Sequence, residues 1–230
     1  MEQPAYRLAV QVCSQTADKL QRQVCQYFTD VIVAHSRDEE FEEVQKAHTL
    51  IKRLHHACPA LLHNVVPQLE EELRVQETQI RVMATQTLGE MFAEEKHGAD
   101  LARKYTTTWT MWLSRKNDQA IAVRLAFVEV ARGLLVSTTP PDVGEKIEGR
   151  LQSAICNCDA HETTDALQSK LLDPDEKVRA AVCKAYGQID YETALHHVSE
   201  QQLRAIAGRG VDKKVRAIRS AGTTFLNYAI

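Results

Sequence analysis

A short pattern constrains the fold more than any other feature: an aliphatic residue followed by arginine near the start of an apolar helical segment. It occurs four times, at Ile80-Arg81, Val123-Arg124, Val178-Arg179 and Val215-Arg216. Successive arginines are separated by 43, 55 and 37 residues. A recurrence of about 40–47 residues, with two helices in each unit, is typical of HEAT and armadillo arrays. The sequence therefore predicts an all-α repeat protein.

Each predicted apolar helix is preceded by a companion amphipathic segment. These companions span about residues 60–73, 100–113, 161–172 and 199–207. A helix pair of this kind cannot bury its apolar stripe alone, whereas stacking the next pair on it builds a continuous core. We therefore expect a HEAT-repeat α-solenoid, a right-handed superhelix of stacked helical hairpins. Gly and Pro are too few, 15 residues together, for the many tight turns of an all-β fold.

The predicted array occupies residues 1–230 as a single segment. A leading helical hairpin covers about residues 5–58; it consists of a long helix over about 5–35 and a second over about 39–58, which Pro59 ends. Repeats follow at 59–95, 100–136, 146–190 and 199–230. A loop at 137–145 accounts for the longest spacing, and the third of these repeats carries an insertion.

Aspartates recur in the turns ahead of the repeated arginines. Asp118, Asp173 and Asp212 lie three to six residues before their aliphatic-arginine pairs. We expect each arginine to reach a turn aspartate of its own or the neighbouring unit and so tie successive turns together. The residues of this predicted repeat ladder are Ile80, Arg81, Val123, Arg124, Asp173, Val178, Arg179, Asp212, Val215 and Arg216.

Two helix starts carry capping signals. Asp173 is predicted to cap the helix that contains Val178, with Pro174 at the first helical position and Glu176 closing a capping box. Ser199 and Gln202 form a second capping pair for the companion helix that follows. Both signals place polar side chains where free backbone N–H groups need an acceptor.

Composition narrows the class of function. A net charge of −3 provides no overall field for gripping a phosphate backbone, so direct DNA binding is disfavoured. No stretch approaches the roughly 18 consecutive apolar residues of a membrane span, and no signal segment opens the chain. We therefore expect a soluble intracellular protein whose six cysteines are free thiols.

Candidate chemical motifs are weak. Cys156-Asn157-Cys158 with His161 lacks the second cysteine pair and the two-residue spacing of a zinc site. The adjacent pairs His55-His56 and His196-His197 point about 100° apart on a helix, so one member of each pair is expected inside and the other in water. Trp109 and Trp112 are expected in the core. The sequence predicts no catalytic residue, cofactor or metal, and therefore a protein that is not an enzyme.

Longer strings carry a resemblance to one family. They are Gln11–Leu20, Gln23–Phe28, Pro67–Arg74, Leu171–Val182 (Leu-Leu-Asp-Pro-Asp-Glu-Lys-Val-Arg-Ala-Ala-Val) and Tyr191–Val198. Together they resemble the "precocious dissociation of sisters" family of HEAT-repeat cohesin regulators, from about residue 5 to about residue 214. The stretch from Val215 to Ile230 matches the family less well.

The resemblance implies a non-enzymatic scaffold in the nucleus. Its expected partners are the cohesin complex, through the kleisin subunit, and the cohesin regulators that govern acetylation and release. It implies indirect association with chromatin, no membrane and no small-molecule substrate. Family members are several times longer, so we expect an amino-proximal segment of the array or a truncated product.

An extended partner segment is expected to lie along a groove lined by the second helices. Exposed polar positions on those helices, together with Lys213 and Lys214, are the predicted partner-binding residues. The alternative is a generic HEAT-repeat adaptor of the transport or vesicle-coat type, which binds extended peptide segments.

Overall fold

The computed structural model describes residues 4–34, 41–137, 162–189, 194 and 198–212, and these contain helices and turns but no strand. The helices are α1 (Pro4–Gln15), α2 (Ala17–Ala34), α3 (Phe41–Ala57), α4 (Val66–Glu72), α5 (Thr78–Phe92), α6 (Gly98–Lys104), α7 (Thr106–Ser114), α8 (Ile121–Ser137), α9 (162–170), α10 (Glu176–Gly187) and α11 (Glu200–Gly208). The prediction of an all-α fold is confirmed. The chain divides into two compact units: unit 1 is Met1–Trp112 and unit 2 is Leu113–Ile230.

Unit 1 is built around α3 and α5, which pack against each other. Its core contains the fully buried side chains of Phe28, Ile51, Leu69 and Leu88, one from each of α2, α3, α4 and α5. Apolar residues at helical spacing therefore meet across successive hairpins, as the stacking argument requires.

The predicted helix over residues 5–35 is interrupted at Thr16, so the prediction of one continuous helix is wrong. The Thr16 hydroxyl donates to the Val12 carbonyl at 2.7 Å, a local bond that competes with regular helix geometry. None of the residues of α1 is buried. The buried stripe begins at Ala17.

The companion segments of unit 1 are broken into shorter pieces than predicted. A 3₁₀ turn, Pro59–Leu62, and then α4 replace the helix expected over 60–73. Likewise α6 and α7 meet at Tyr105 inside the segment expected to be one helix over 100–113. Pro59 does end α3, because proline cannot donate the next helical hydrogen bond.

Aromatic packing stabilises the end of unit 1. Phe92, Trp109 and Trp112 have ring centroids 5.0–5.7 Å apart. Trp112 is fully buried and its indole N–H donates to the Thr85 carbonyl at 2.9 Å. The prediction that both tryptophans belong to the core is confirmed, and the hydrogen bond satisfies the polar end of the Trp112 ring.

A buried polar cluster joins three helices of unit 1. His48 on α3 contacts the Thr87 hydroxyl of α5 through Nδ1 at 3.0 Å and a Glu72 carboxylate oxygen of α4 through Nε2 at 3.2 Å. His48 and Glu72 are both less than 5% exposed. Because buried polar groups are costly without partners, this cluster favours one register of α3 on the next hairpin.

Unit 2 contains α8, α9, α10 and α11, with α8 packed on α10. Val123 and Val178, the aliphatic members of two of the repeated pairs, are fully buried, as are Phe127 and Tyr186. The equivalent Ile80 of unit 1 is half-buried. The two valines thus occupy matching core positions one residue before the ladder arginines.

The capping prediction for α10 is wrong, since Glu176 is the first helical residue and closes no capping box on Asp173. Asp175, not Asp173, is the N-cap residue, and its side chain accepts from the Lys177 N–H at 2.8 Å. The helix therefore begins at Glu176, and Pro174 lies before it in the turn. Asp173 cannot cap because its carboxylate is occupied by Arg124 and by the Asp175 N–H. The capping box of Ser199 and Gln202 is confirmed.

Several predicted features lie outside the described residues. These are the loop at 138–145, Cys156, Cys158, His161, His196, His197 and the helix expected around Val215 and Arg216. The division of residues 1–230 into numbered repeats of one array stays a prediction. None of the described helices is long and apolar enough to cross a membrane.

Candidate functional site

Arg124 is the centre of the best-defined polar arrangement in unit 2. Its Nε and Nη2 donate to the two carboxylate oxygens of Asp173, each at 3.0 Å. Its Nη1 donates to the carbonyls of Asp118 and Gln119 at 2.9 and 3.2 Å. A planar guanidinium is suited to such a two-pronged contact, and here it clamps its own turn and the aspartate of the next turn together.

Arg179 repeats this geometry in the next turn along the chain. Its Nε and Nη2 donate to the Asp212 carboxylate at 2.7 and 2.9 Å. Its Nη1 donates to the carbonyls of Asp173 and Pro174 at 2.8 and 3.1 Å. We call Arg124–Asp173 and Arg179–Asp212 the arginine–aspartate ladder. In both rungs the arginine contacts the aspartate of the following turn.

Arg81 makes the same contacts within its own turn. Its Nη1 donates to the carbonyls of Val75 and Gln76, both at 2.8 Å. In Arg81, Arg124 and Arg179 the accepting carbonyls lie six and five residues before the arginine. The three arginines are therefore equivalent in structure as well as in sequence.

The ladder aspartates carry their charge in a shielded setting. Burial alone would raise the pKa of Asp173, but the hydrogen bonds from Arg124 and from the Asp175 N–H outweigh it and hold that pKa below its ordinary value. Lys170 adds to the effect, with its Nζ 3.4 Å from Asp173 and 2.8 Å from the Asn117 amide oxygen. Hydrogen bonding to Asp212 raises the pKa of Arg179. The ladder is a structural element and offers no free group for chemistry.

The second helices of unit 1, α3 and α5, share an exposed polar face. Lys52 of α3 contacts Glu90 of α5 at 2.8 Å, and His56 contacts Glu94 at 3.1 Å. Along α3 a shallow depression of about 470 Å³ is lined by Glu42, Gln45, Lys46, Thr49, Leu50 and Arg53. We call these α3 residues, with Lys52 and Glu90, the second-helix face. It matches the kind of surface that the sequence predicts for docking.

A separate cavity of about 230 Å³ lies in unit 1, between α3, α6 and the 3₁₀ turn Pro59–Leu62. Its apolar lining includes Leu62, Val66 and Leu101. Its polar lining is His55, His63, His97, Asp100, Lys104 and Tyr105. Asp100 and Lys104 are exposed, so the cavity opens to solvent on their side.

Hydrogen bonds order part of this cavity. The Lys104 ammonium lies 2.9 Å from Nδ1 of His63, and the Tyr105 hydroxyl donates to the His63 carbonyl at 3.2 Å. Burial and the charge of Lys104 lower the pKa of His63.

His55 is the most deeply buried histidine of the cavity. It is 2% exposed and its ring centroid is 6.0 Å from that of His97. Burial lowers the pKa of His55 to about 4, so the imidazole is neutral at pH 7. The neighbouring His56 is exposed, which confirms the expectation that one member of this pair lies inside and the other in water.

The predicted partner-binding residues Lys213 and Lys214 lie outside the described residues. Within the described part of the chain, no group of three or more His, Cys, Asp or Glu side chains is arranged to hold a metal ion. Among the described cysteines, Cys13, Cys25 and Cys58 are free thiols. Burial raises the pKa of Cys183 to about 11, which keeps it an unreactive thiol.

The cavity was missed by sequence reasoning because its members are distant along the chain. His55 and His97 are 42 residues apart, and His63 and Lys104 are 41 apart. The pairs His48–Thr87 and His56–Glu94 are separated by 39 and 38 residues. All of these separations are close to one repeat, so pairing residues one period apart would have found them.

The chain is similar to one protein family over nearly all of its length. The family model described as "Sister chromatid cohesion protein PDS5 protein" matches residues 1–227. The Schizosaccharomyces pombe protein "Sister chromatid cohesion protein pds5" is 34% identical over 217 residues, which cover 92% of this chain and 16% of that protein. The Xenopus laevis protein "Sister chromatid cohesion protein PDS5 homolog B-A" is 26% identical over 221 residues, covering 96% of this chain and 14% of that protein.

A solved structure has the same fold. It is described as "Structure of the Pds5-Scc1 complex and implications for cohesin function" and matches with a TM-score of 0.75 at 16% sequence identity. The match covers 94% of this chain and 30% of that chain. This chain therefore spans a small part of the length of the proteins it resembles, and the likeness confirms the predicted HEAT-type helical repeat fold.

Proposed function

The chain belongs to the PDS5 family of sister chromatid cohesion proteins, and from this premise we propose that it is a non-catalytic scaffold segment that binds the kleisin subunit of cohesin. The observation that carries the proposal is the family match over residues 1–227. The fold likeness to a Pds5 chain solved with Scc1 supports the choice of partner.

The architecture of unit 1 suits this role. Buried contacts such as His48 with Glu72 hold α3 and α4 in one register, so the exposed side chains of the second helices are presented on a rigid support. Extended partner segments bind to surfaces of this kind with little rearrangement of the scaffold. The second-helix face is accordingly our proposed docking surface in unit 1.

Finer aspects of the proposal follow from the family. We propose that the segment acts in the nucleus, that it reaches chromatin through cohesin, and that it contributes to binding the factors that acetylate and release the ring.

Direct binding to purified kleisin tests the proposal. Arg53→Glu reverses an exposed charge on the second-helix face, and Lys19→Glu makes the same change on the first helix α2. We expect saturable binding by the native chain, weakened several-fold by Arg53→Glu and unchanged by Lys19→Glu. If the native chain does not bind kleisin, the proposal is wrong; if both variants bind equally well, the second-helix face is not the docking surface.

The predicted contribution of Lys213 and Lys214 is part of the same proposal. Reversing both charges is expected to lower kleisin affinity, mainly through slower association. The affinity of the variant should also depend less on salt concentration. Measuring the affinity at two salt concentrations separates this effect from a loss of folding, which circular dichroism would show. An unchanged affinity removes the lysine pair from the docking surface.

A further inference from the structure

The histidine-lined cavity of unit 1 has the size of a single side chain. Its volume of about 230 Å³ is below the range of small-molecule sites, which begins at about 300 Å³. Side chains that anchor protein interfaces fill pockets of this kind. Size therefore favours one residue of a bound protein segment over a free cofactor.

The cavity contains a polar group without a partner. His55 is only 2% exposed, and its Nε2 is shielded from water and makes no hydrogen bond in the structure. Buried polar atoms nearly always have partners, and those that lack one call for an explanation. His55 therefore brings an unused hydrogen-bonding group to the lining of the cavity.

The charges around the opening favour an acidic ligand. Asp100 is compensated by Arg103, whose Nη1 lies 3.5 Å from its carboxylate. Lys104 contacts His63 and lies 5.6 Å from the centre of the Tyr105 ring, and no carboxylate among the described residues forms an ion pair with it. Asp18, although it acts on His63 from α2, does not line the cavity. The charged groups of the lining are thus Asp100, which has Arg103 as its partner, and Lys104, whose ammonium can donate hydrogen bonds to an anion.

We propose that this cavity receives the side chain of a glutamate from the kleisin segment, with the carboxylate placed near Lys104 and His55. The methylene groups of glutamate would contact the apolar lining at Leu62, Val66 and Leu101. This inference rests on the proposed function, because it takes kleisin as the partner. It adds a specific contact on the α3–α6 side of unit 1, apart from the second-helix face.

Charge reversal in the cavity tests the inference. The native chain, Lys104→Glu, Lys104→Met and the matched control Lys177→Glu are titrated with purified kleisin; Lys177 is exposed on α10 and does not line the cavity. We expect Lys104→Glu to weaken binding about tenfold, Lys104→Met less, and Lys177→Glu less than twofold. Circular dichroism confirms that each variant is folded.

A charge swap identifies the partner residue. Kleisin variants with single Glu→Lys substitutions are tested against the native chain and against Lys104→Glu. One of them is expected to bind the native chain poorly and to restore binding to Lys104→Glu. The inference is overturned if Lys104→Glu binds like the native chain, if Lys177→Glu weakens binding as much, or if no kleisin variant restores it. The proposed function survives all three outcomes, whereas failure of the native chain to bind kleisin overturns both.

Discussion

Replacing Arg124 with methionine tests the ladder most directly. The substitution keeps much of the side-chain volume and removes all four hydrogen bonds that the guanidinium donates, two to Asp173 and two to turn carbonyls. The Asp173 side chain is 1% exposed and that of Arg124 is 10% exposed. The change therefore leaves a buried carboxylate without its principal counter-charge.

The structure sets the expected size of the effect. Removing one partner of a buried ion pair costs about 3–5 kcal/mol of unfolding free energy, because the remaining charge stays desolvated. Asp173 keeps the Asp175 N–H and Lys170, whose Nζ is 3.4 Å away, so we expect the lower end, about 3 kcal/mol. Adding Asp173→Leu removes the stranded charge. The double variant should therefore be more stable than Arg124→Met alone.

The assay combines urea unfolding, followed by circular dichroism, with hydrogen exchange of α8 and α10. Arg204→Met is the matched control, since Arg204 pairs with Glu200 on the surface and both side chains are 78% exposed. An exposed pair of this kind contributes about 0.5 kcal/mol or less. Exchange in α8 and α10 should accelerate only when the Arg124 rung is removed.

Two results would refute this reasoning. The first is a loss of stability in Arg124→Met no larger than in Arg204→Met. The second is a double variant, with Asp173→Leu, that is less stable than Arg124→Met. Either would mean that the buried carboxylate is not the source of the effect.

Three further predictions concern unit 1. The pKa of His55 is about 4 in the folded protein and 6.5 in the unfolded chain, so acid protonates the unfolded state first. The free energy of unfolding should therefore fall by about 2 kcal/mol from pH 7 to 5, and by less in His55→Gln. Gly98→Ala should cost about 1–3 kcal/mol, because its Cβ would meet the Phe92 carbonyl oxygen at 2.1 Å, whereas Gly208→Ala should be neutral or stabilising. Trp112→Ala should cost about 3–5 kcal/mol, because removal of the fully buried indole leaves a cavity.

Urea unfolding curves at several pH values check all three. Parallel pH profiles for the native chain and His55→Gln would contradict the buried neutral imidazole. A tolerated Gly98→Ala would mean that the start of α6 can move away from Phe92. A cost for Trp112→Ala no larger than for an exposed apolar residue, such as Leu50→Ala, would contradict its place in the core.

Local sequence patterns were sufficient to predict the helical class and the places of several helices. The spacing of apolar residues indicates where α3, α5, α8 and α10 lie, since one buried face repeats every three or four residues. Ser199 with Gln202 was recognisable as a capping box because both partners lie within one turn. The repeated arginines marked equivalent turns, and the rungs Arg124–Asp173 and Arg179–Asp212 are present in the structure.

Competing hydrogen bonds produced the errors at two helix boundaries. Asp173 has the residue type and position of a helix cap, but a distant arginine takes its carboxylate and Asp175 caps α10 instead. Thr16 interrupts a long apolar periodicity through one bond to the Val12 carbonyl. In both cases the pattern was correct about the helix and wrong about its boundary, because single hydrogen bonds decide boundaries.

Sequence alone determined the helical class, because the spacing of apolar residues lies within any local window, and its longer strings carried the resemblance to the family. Tertiary structure alone decided which side chains meet across hairpins: the buried contact of His48 with Glu72, the shared face of α3 and α5, and the cavity that His55 and Lys104 line. Such groups come together because stacking brings residues about one repeat apart within reach of each other. Their burial and charge depend on neighbours that no local stretch of sequence specifies.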